Sequence, residues 1–68
     1  MKRHDLDAVL QAIAQYHAEK GYAPTLRELT ALCGMSSVSV ADYWLDKLER
    51  AGRIRRTRGI ARSIVVVR

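Results

Sequence analysis

A chain of 68 residues and 7.7 kDa has room for one small domain and none for a separate substrate domain. Hydrophobic residues make up 49% and charged ones 28%, a globular rather than a disordered balance, and the longest apolar run, Ile64 to Val67, is too short to span a membrane. A single cysteine, Cys33, excludes an internal disulfide and a cysteine-rich zinc site, while 12 basic against 7 acidic residues and a pI near 10.0 favour a polyanionic partner, nucleic acid first.

Residues 5–20 carry apolar side chains at Leu6, Val9, Leu10 and Ile13, continued by Tyr16 or His17, the spacing of one helical face. Asp5 and Asp7 suit the positive end of such a helix and Lys20 its negative end, with Gly21 just beyond. A second helix is predicted over about 26–33. Thr25-Leu26-Arg27-Glu28 has the form of a capping box, Pro24 biases Ala23 away from helix, and Gly34 stops the run. Leu26, Leu29, Leu32 and Cys33 form its apolar stripe, which makes Cys33 a core residue by expectation.

Ser36 or Ser37 can cap a third helix over about 37–50. Val38, Ala41, Leu45 and Leu48 share its inner face with Trp44 on the flank, while Ser39, Asp42, Tyr43, Asp46, Lys47 and Arg50 lie opposite. Two helices joined by Gly34-Met35-Ser36 form a helix-turn-helix. After Gly52 the period shortens. Arg53–Thr57, a turn at Arg58-Gly59, and Arg62–Val67 read as a β-hairpin over about 53–67, with Ile54, Ile60 and Ile64 as core positions. The expected fold is mainly α (α+β): a winged helix-turn-helix of three helices and a two-stranded wing, filling residues 1–68 as one unit.

The net charge of +5 is unevenly placed. Residues 1–46 hold four basic side chains against six acidic ones, a net of −2, whereas residues 47–68 hold eight against Glu49 alone, a net of +7. Arginine predominates there, which suits planar, two-pronged phosphate contacts.

The run Gly21-Tyr22-Ala23-Pro24-Thr25-Leu26-Arg27-Glu28-Leu29 resembles the start of the second helix in the DNA-binding domain of the LexA family of bacterial SOS-response repressors. The likeness continues through Gly34, Ser37, Ala41, Leu45, Leu48, Gly52-Arg53-Ile54, Arg56 and Arg62-Ser63-Ile64 without insertions, so it covers nearly the whole chain. It implies a recognition helix in the major groove, a wing along the backbone, and operators bound as paired half-sites. By that likeness Ser37 opens the recognition helix, and Ser39, Val40, Asp42 and Tyr43 lie nearest the bases. Thr25, Leu26 and Arg27 approach a phosphate through a helix N-terminus. Ser36, Lys47, Arg55, Arg56, Arg58 and Arg62 complete the expected backbone contacts. Val40, Tyr43 and Trp44 depart from the family's usual recognition helix, and Ala61 stands where a proline is common before the wing arginine. The 68 residues also hold no counterpart of the family's self-cleaving serine–lysine protease domain, which supplies dimerisation and the damage switch.

The chemistry agrees with such a reading. Ser39 suits either kind of base pair, Asp42 or Asp46 can accept from a cytosine N4 amine, and Val40 can pack on a thymine methyl. Against this, Asp42 and Asp46 also suit solvation or pairing with Lys47 and Arg50, and Trp44 suits the core. No enzyme is expected: His4 and His17 lack metal-ligand spacing, the serines near residue 37 have a capping role, and no glycine loop cradles phosphate. No cofactor, metal, membrane or small-molecule ligand is expected. The expected partner is double-stranded DNA and the expected role that of a cytoplasmic, nucleoid-associated repressor. A second reading is a protein–protein adaptor or antagonist that pairs with a larger repressor or another partner, for which Val65 and Val67 on the outer face of an edge strand offer a surface. The same edge suits a homodimer.

Overall fold

A computed structural model describes residues 5–67, and the sequence's His4 and Arg68 lie outside that range. Each helix starts at a side chain that satisfies an otherwise orphaned backbone amide. The Asp5 carboxylate accepts from the Ala8 amide at 2.7 Å, opening α1 (Leu6–Lys20). The Thr25 hydroxyl accepts from the Glu28 amide at 3.1 Å while the Glu28 carboxylate accepts from the Thr25 amide at 2.9 Å, so the capping box of α2 (Leu26–Leu32) is complete. Ser37, not Ser36, caps α3 (Val38–Arg50), its hydroxyl accepting from the Val40 amide at 3.4 Å. Gly21 ends α1 at φ 83°, a left-handed conformation that disfavours any residue with a Cβ.

The helices and the wing close over one apolar cluster. Val9 and Ile13 of α1, Leu29 of α2 and Ala41, Leu45 and Leu48 of α3 are buried with Ala23, Met35, Ile54 and Ile64. Leu6, Leu10, Leu26, Val40 and Trp44 pack against it half-buried, as does Cys33, which ends α2 rather than filling the core. Three expected core positions are exposed instead. Leu32, the last residue of the seven-residue α2, and Val38, the first of α3, stand at helix ends and are exposed. Ile60 is 62% exposed because it sits in the loop between the strands, not on either strand.

The wing has the expected order and direction, with a shorter ladder. Strands β1 (Ile54–Arg55) and β2 (Val65–Val66) are antiparallel with Ile54 opposite Val66 and Arg55 opposite Val65. Residues 56–64 leave the ladder because two successive turns occupy them, the second through Arg62 at φ 59°. Ser63 replaces backbone pairing there: its hydroxyl accepts from the Thr57 amide and donates to the Thr57 carbonyl, each at 3.0 Å. Three helices followed by this two-stranded sheet form a winged helix-turn-helix.

Candidate nucleic-acid interface

The loop of the wing folds back toward the start of α2 and the first turns of α3. Between them lies an open cleft of about 450 Å³, bordered by Thr25 and Arg27 on one side, Val38 and Asp42 on another, and Arg58 and Ile60 on the wing. The sequence pattern brings these together through local causes: the capping box aims the α2 N-terminus, and Ser37 fixes where α3 begins.

The expected base-reading residues do not all share one side of α3: Val40 packs against the core and Asp42 faces the wing through Arg56. Ser36, Ser37 and Ser39 are exposed, Val40 is half-buried, and Tyr43 is 56% exposed. Tyr43 meets Trp44 edge-on at 5.8 Å between ring centroids. The Lys47 ammonium lies 5.2 Å from the Tyr43 ring centroid, 5.6 Å from that of Trp44, and donates to the Tyr43 hydroxyl at 3.4 Å. That cluster braces one side of an otherwise exposed tyrosine.

The expected backbone set divides in two. Arg27 and Arg55 are exposed and make no ion pair among the described residues; Lys47 is exposed beside Tyr43. Arg58 is 67% exposed and 3.5 Å from Asp46, a contact of the kind worth only about 0–1 kcal/mol in solvent. Arg56 and Arg62 differ. Arg56 is only 9% exposed, with Nη1 3.0 Å from Asp42 Oδ1 and Nε 3.3 Å from Glu49 Oε1. Arg62 grips Glu28 with both prongs, at 2.8 and 3.0 Å, donates to the Ala23 carbonyl at 3.0 Å, and stacks 4.4 Å from the Tyr22 ring centroid. These contacts hold the positive φ of Arg62, a conformation unfavourable for a side chain bearing a Cβ. The Thr25 hydroxyl accepts the capping bond from the Glu28 amide, which leaves its proton to donate, and Leu26 is half-buried.

The charge asymmetry of the sequence is therefore partly internal. Asp42, Asp46 and Glu49 lie at successive helical turns on one side of α3, a stripe that the wing arginines Arg56 and Arg58 cover, while Arg53 meets Asp7 at 3.7 Å. Asp46 also pairs with Arg50 at 3.0 Å. Sequence reasoning missed Glu49 and the Glu28–Arg62–Tyr22 cluster as wing anchors. The spacing of Asp42, Asp46 and Glu49 carried the first signal, while Glu28 already had a complete local role in its capping box. The Arg62 guanidinium, followed by the Thr25 amide, holds the Glu28 carboxyl far below its ordinary value, at about 2. Arg62 is correspondingly raised by Glu28. Among the described residues no group of three or more His, Cys, Asp or Glu is placed to hold a metal ion, and no helix is long and apolar enough to cross a membrane.

The profile of the LexA DNA binding domain matches residues 6–63. The chain is 42% identical over 60 residues to the LexA repressor of Stenotrophomonas maltophilia (strain R551-3), covering 88% of this chain and 28% of that protein. It is 40% identical over 58 residues to LexA repressor 1 of Nocardia farcinica (strain IFM 10152), covering 85% and 27%. With the LexA repressor of Clostridium kluyveri (strain ATCC 8527) it shares 41% identity over 49 residues, covering 72% and 24%. It thus spans roughly a quarter of the length of these relatives. The match runs from the start of α1 into the wing, and on it the chain belongs to the LexA DNA-binding domain family.

Proposed function

We propose that the chain binds double-stranded DNA sequence-specifically and represses transcription by occupying an operator. One observation carries the reading: in a member of this family, the exposed polar start of α3 stands beside a cleft bordered by exposed Arg27 and Arg58. On this reading α3 enters the major groove, where Ser37, Ser39, Val40, Asp42 and Tyr43 meet the base edges. Arg27, Lys47, Arg55 and Arg58 neutralise phosphates and release counterions, with Ser36 and the Thr25–Leu26 turn alongside. Arg56 and Arg62 serve instead to hold the wing against α3 and α2. The relatives are named repressors, which favours this role over that of an adaptor. Two copies on paired half-sites follow from the same reading, meeting on the DNA or along β2, where Val65 is 59% exposed. Such a repressor works in the cytoplasm, at the nucleoid.

Selection of bound duplexes from a random pool tests the proposal. A single enriched motif, with binding that weakens steeply as salt rises, is the expected result. Equal retention of every duplex sequence overturns it.

A further inference from the structure

We propose that Arg56 is a positioning residue for base readout: from the wing it orients Asp42 and offsets part of its charge, so that this carboxylate accepts a hydrogen bond from an exocyclic base amine, cytosine N4 in the first instance. This rests on the DNA-reading role proposed above.

Three observations converge. The Arg56 side chain, 9% exposed, bridges two carboxylates seven residues apart on one side of α3: Asp42 at 3.0 Å and Glu49 at 3.3 Å. Its remaining nitrogen, Nη2, is buried without a hydrogen-bond partner. A buried guanidinium with an unmatched donor is a poor choice for stability alone, since an apolar side chain fills such a space at least as well. Asp42, by contrast, is 45% exposed, so the carboxylate that meets Arg56 through Oδ1 still reaches the surface beside the cleft.

The electrostatics explain why such a pair suits a DNA-reading face. A lone carboxylate on a helix approaching phosphates is repelled, and its rotamer is free. With the Arg56 guanidinium beside it the charge of Asp42 is partly offset, although Glu49 shares that cation, and the carboxylate is held in place while still able to accept. Of the base edges in the major groove, the N4 amine of cytosine is the donor that aspartate commonly reads. Asp46, one turn along, lacks this arrangement: its partners Arg50 and Arg58 are 81% and 67% exposed and can turn to phosphate. Arg56 itself is too deeply placed to meet a phosphate directly.

The test is selection from a random duplex pool with the full chain, run in parallel for wild type, Asp42→Asn, Arg56→Met and their combination, with helical circular dichroism verifying the fold. Wild type is expected to prefer cytosine at one position per half-site by about tenfold. Asp42→Asn and Arg56→Met each abolish that preference, the combination abolishes no more, and the other positions keep theirs. Arg56→Lys, which retains the cation without the two-pronged bridge, covers the case in which Arg56→Met does not fold, and is expected to lose the same preference. A profile unchanged by Asp42→Asn overturns the proposal, as does a folded Arg56 variant with the wild-type profile. Equal weakening on every duplex with a shallower salt slope also overturns it, because Arg56 is then a phosphate contact. If wild type selects no motif, the DNA-reading role itself fails and this inference with it; a motif indifferent to Asp42 refutes this inference alone.

Discussion

Replacing Arg58 by alanine separates an arginine that is free to meet DNA from those that hold the wing. Its one ionic contact is to Asp46 at 3.5 Å, with the arginine side chain 67% exposed. A pair this open contributes about 0–1 kcal/mol, and Asp46 keeps Arg50 at 3.0 Å after the change, so folding is expected to alter little. Binding is a different matter. Each phosphate neutralised adds about 0.9 to the slope of log affinity against log salt. Between about 50 and 200 mM salt, one lost contact therefore narrows the gap between wild type and Arg58→Ala by about 3.5-fold. Fluorescence anisotropy with a selected duplex and a scrambled one, titrated across that range, measures both slopes. The expected outcome is a slope reduced by about 0.9 on both duplexes with an unchanged melting temperature. An unchanged slope refutes the placement of the wing on the backbone. A loss confined to the selected duplex shows that Arg58 reads bases.

Three further outcomes are expected. Leu45→Ala, at a side chain only 1% exposed, should cost about 2–5 kcal/mol and leave so small a domain largely unfolded, whereas Leu32→Ala at 43% exposure should cost about 0.5 kcal/mol or less; thermal melts of both variants measure the difference, and equal losses would contradict the described packing. The Glu28 carboxyl lies at about 2 when folded against an ordinary 4.5, so the stability it adds is complete above the higher value and fades as pH falls toward the lower. Urea titrations should accordingly show wild type losing its advantage over Glu28→Gln across that acid window, and a pH-independent gap would disprove the linkage. Replacing Ser39 or Tyr43 by alanine should change the preferred sequence while non-specific binding persists; an unaltered preference, read by duplex selection, would move the recognition surface off the outer side of α3.

The helices were legible because their causes are local. A cap acts over three residues and an apolar stripe repeats every three or four, so Thr25, Glu28 and Ser37 mark helix starts without reference to the rest of the chain. The wing was legible as a change of period, but its length was not. The two turns and the Ser63 bonds to Thr57 that shorten the ladder depend on how the loop packs, which explains why Ile60 is exposed.

For the candidate site, the sequence by itself determined the helix-turn-helix, the serine-rich start of the recognition helix and the excess of arginine after residue 46. It left those arginines equivalent, since each carries the same charge at a similar spacing. Only the tertiary structure decided between them, because the partners that distinguish them are far apart in the chain. Glu28 and Arg62 are separated by 34 residues, and Asp42 meets Arg56 only after the chain has turned at Gly52 and come back along α3. The partners then make the division physical: a largely covered guanidinium held between two carboxylates is costly to move, while an exposed one gives up a weak partner at little cost.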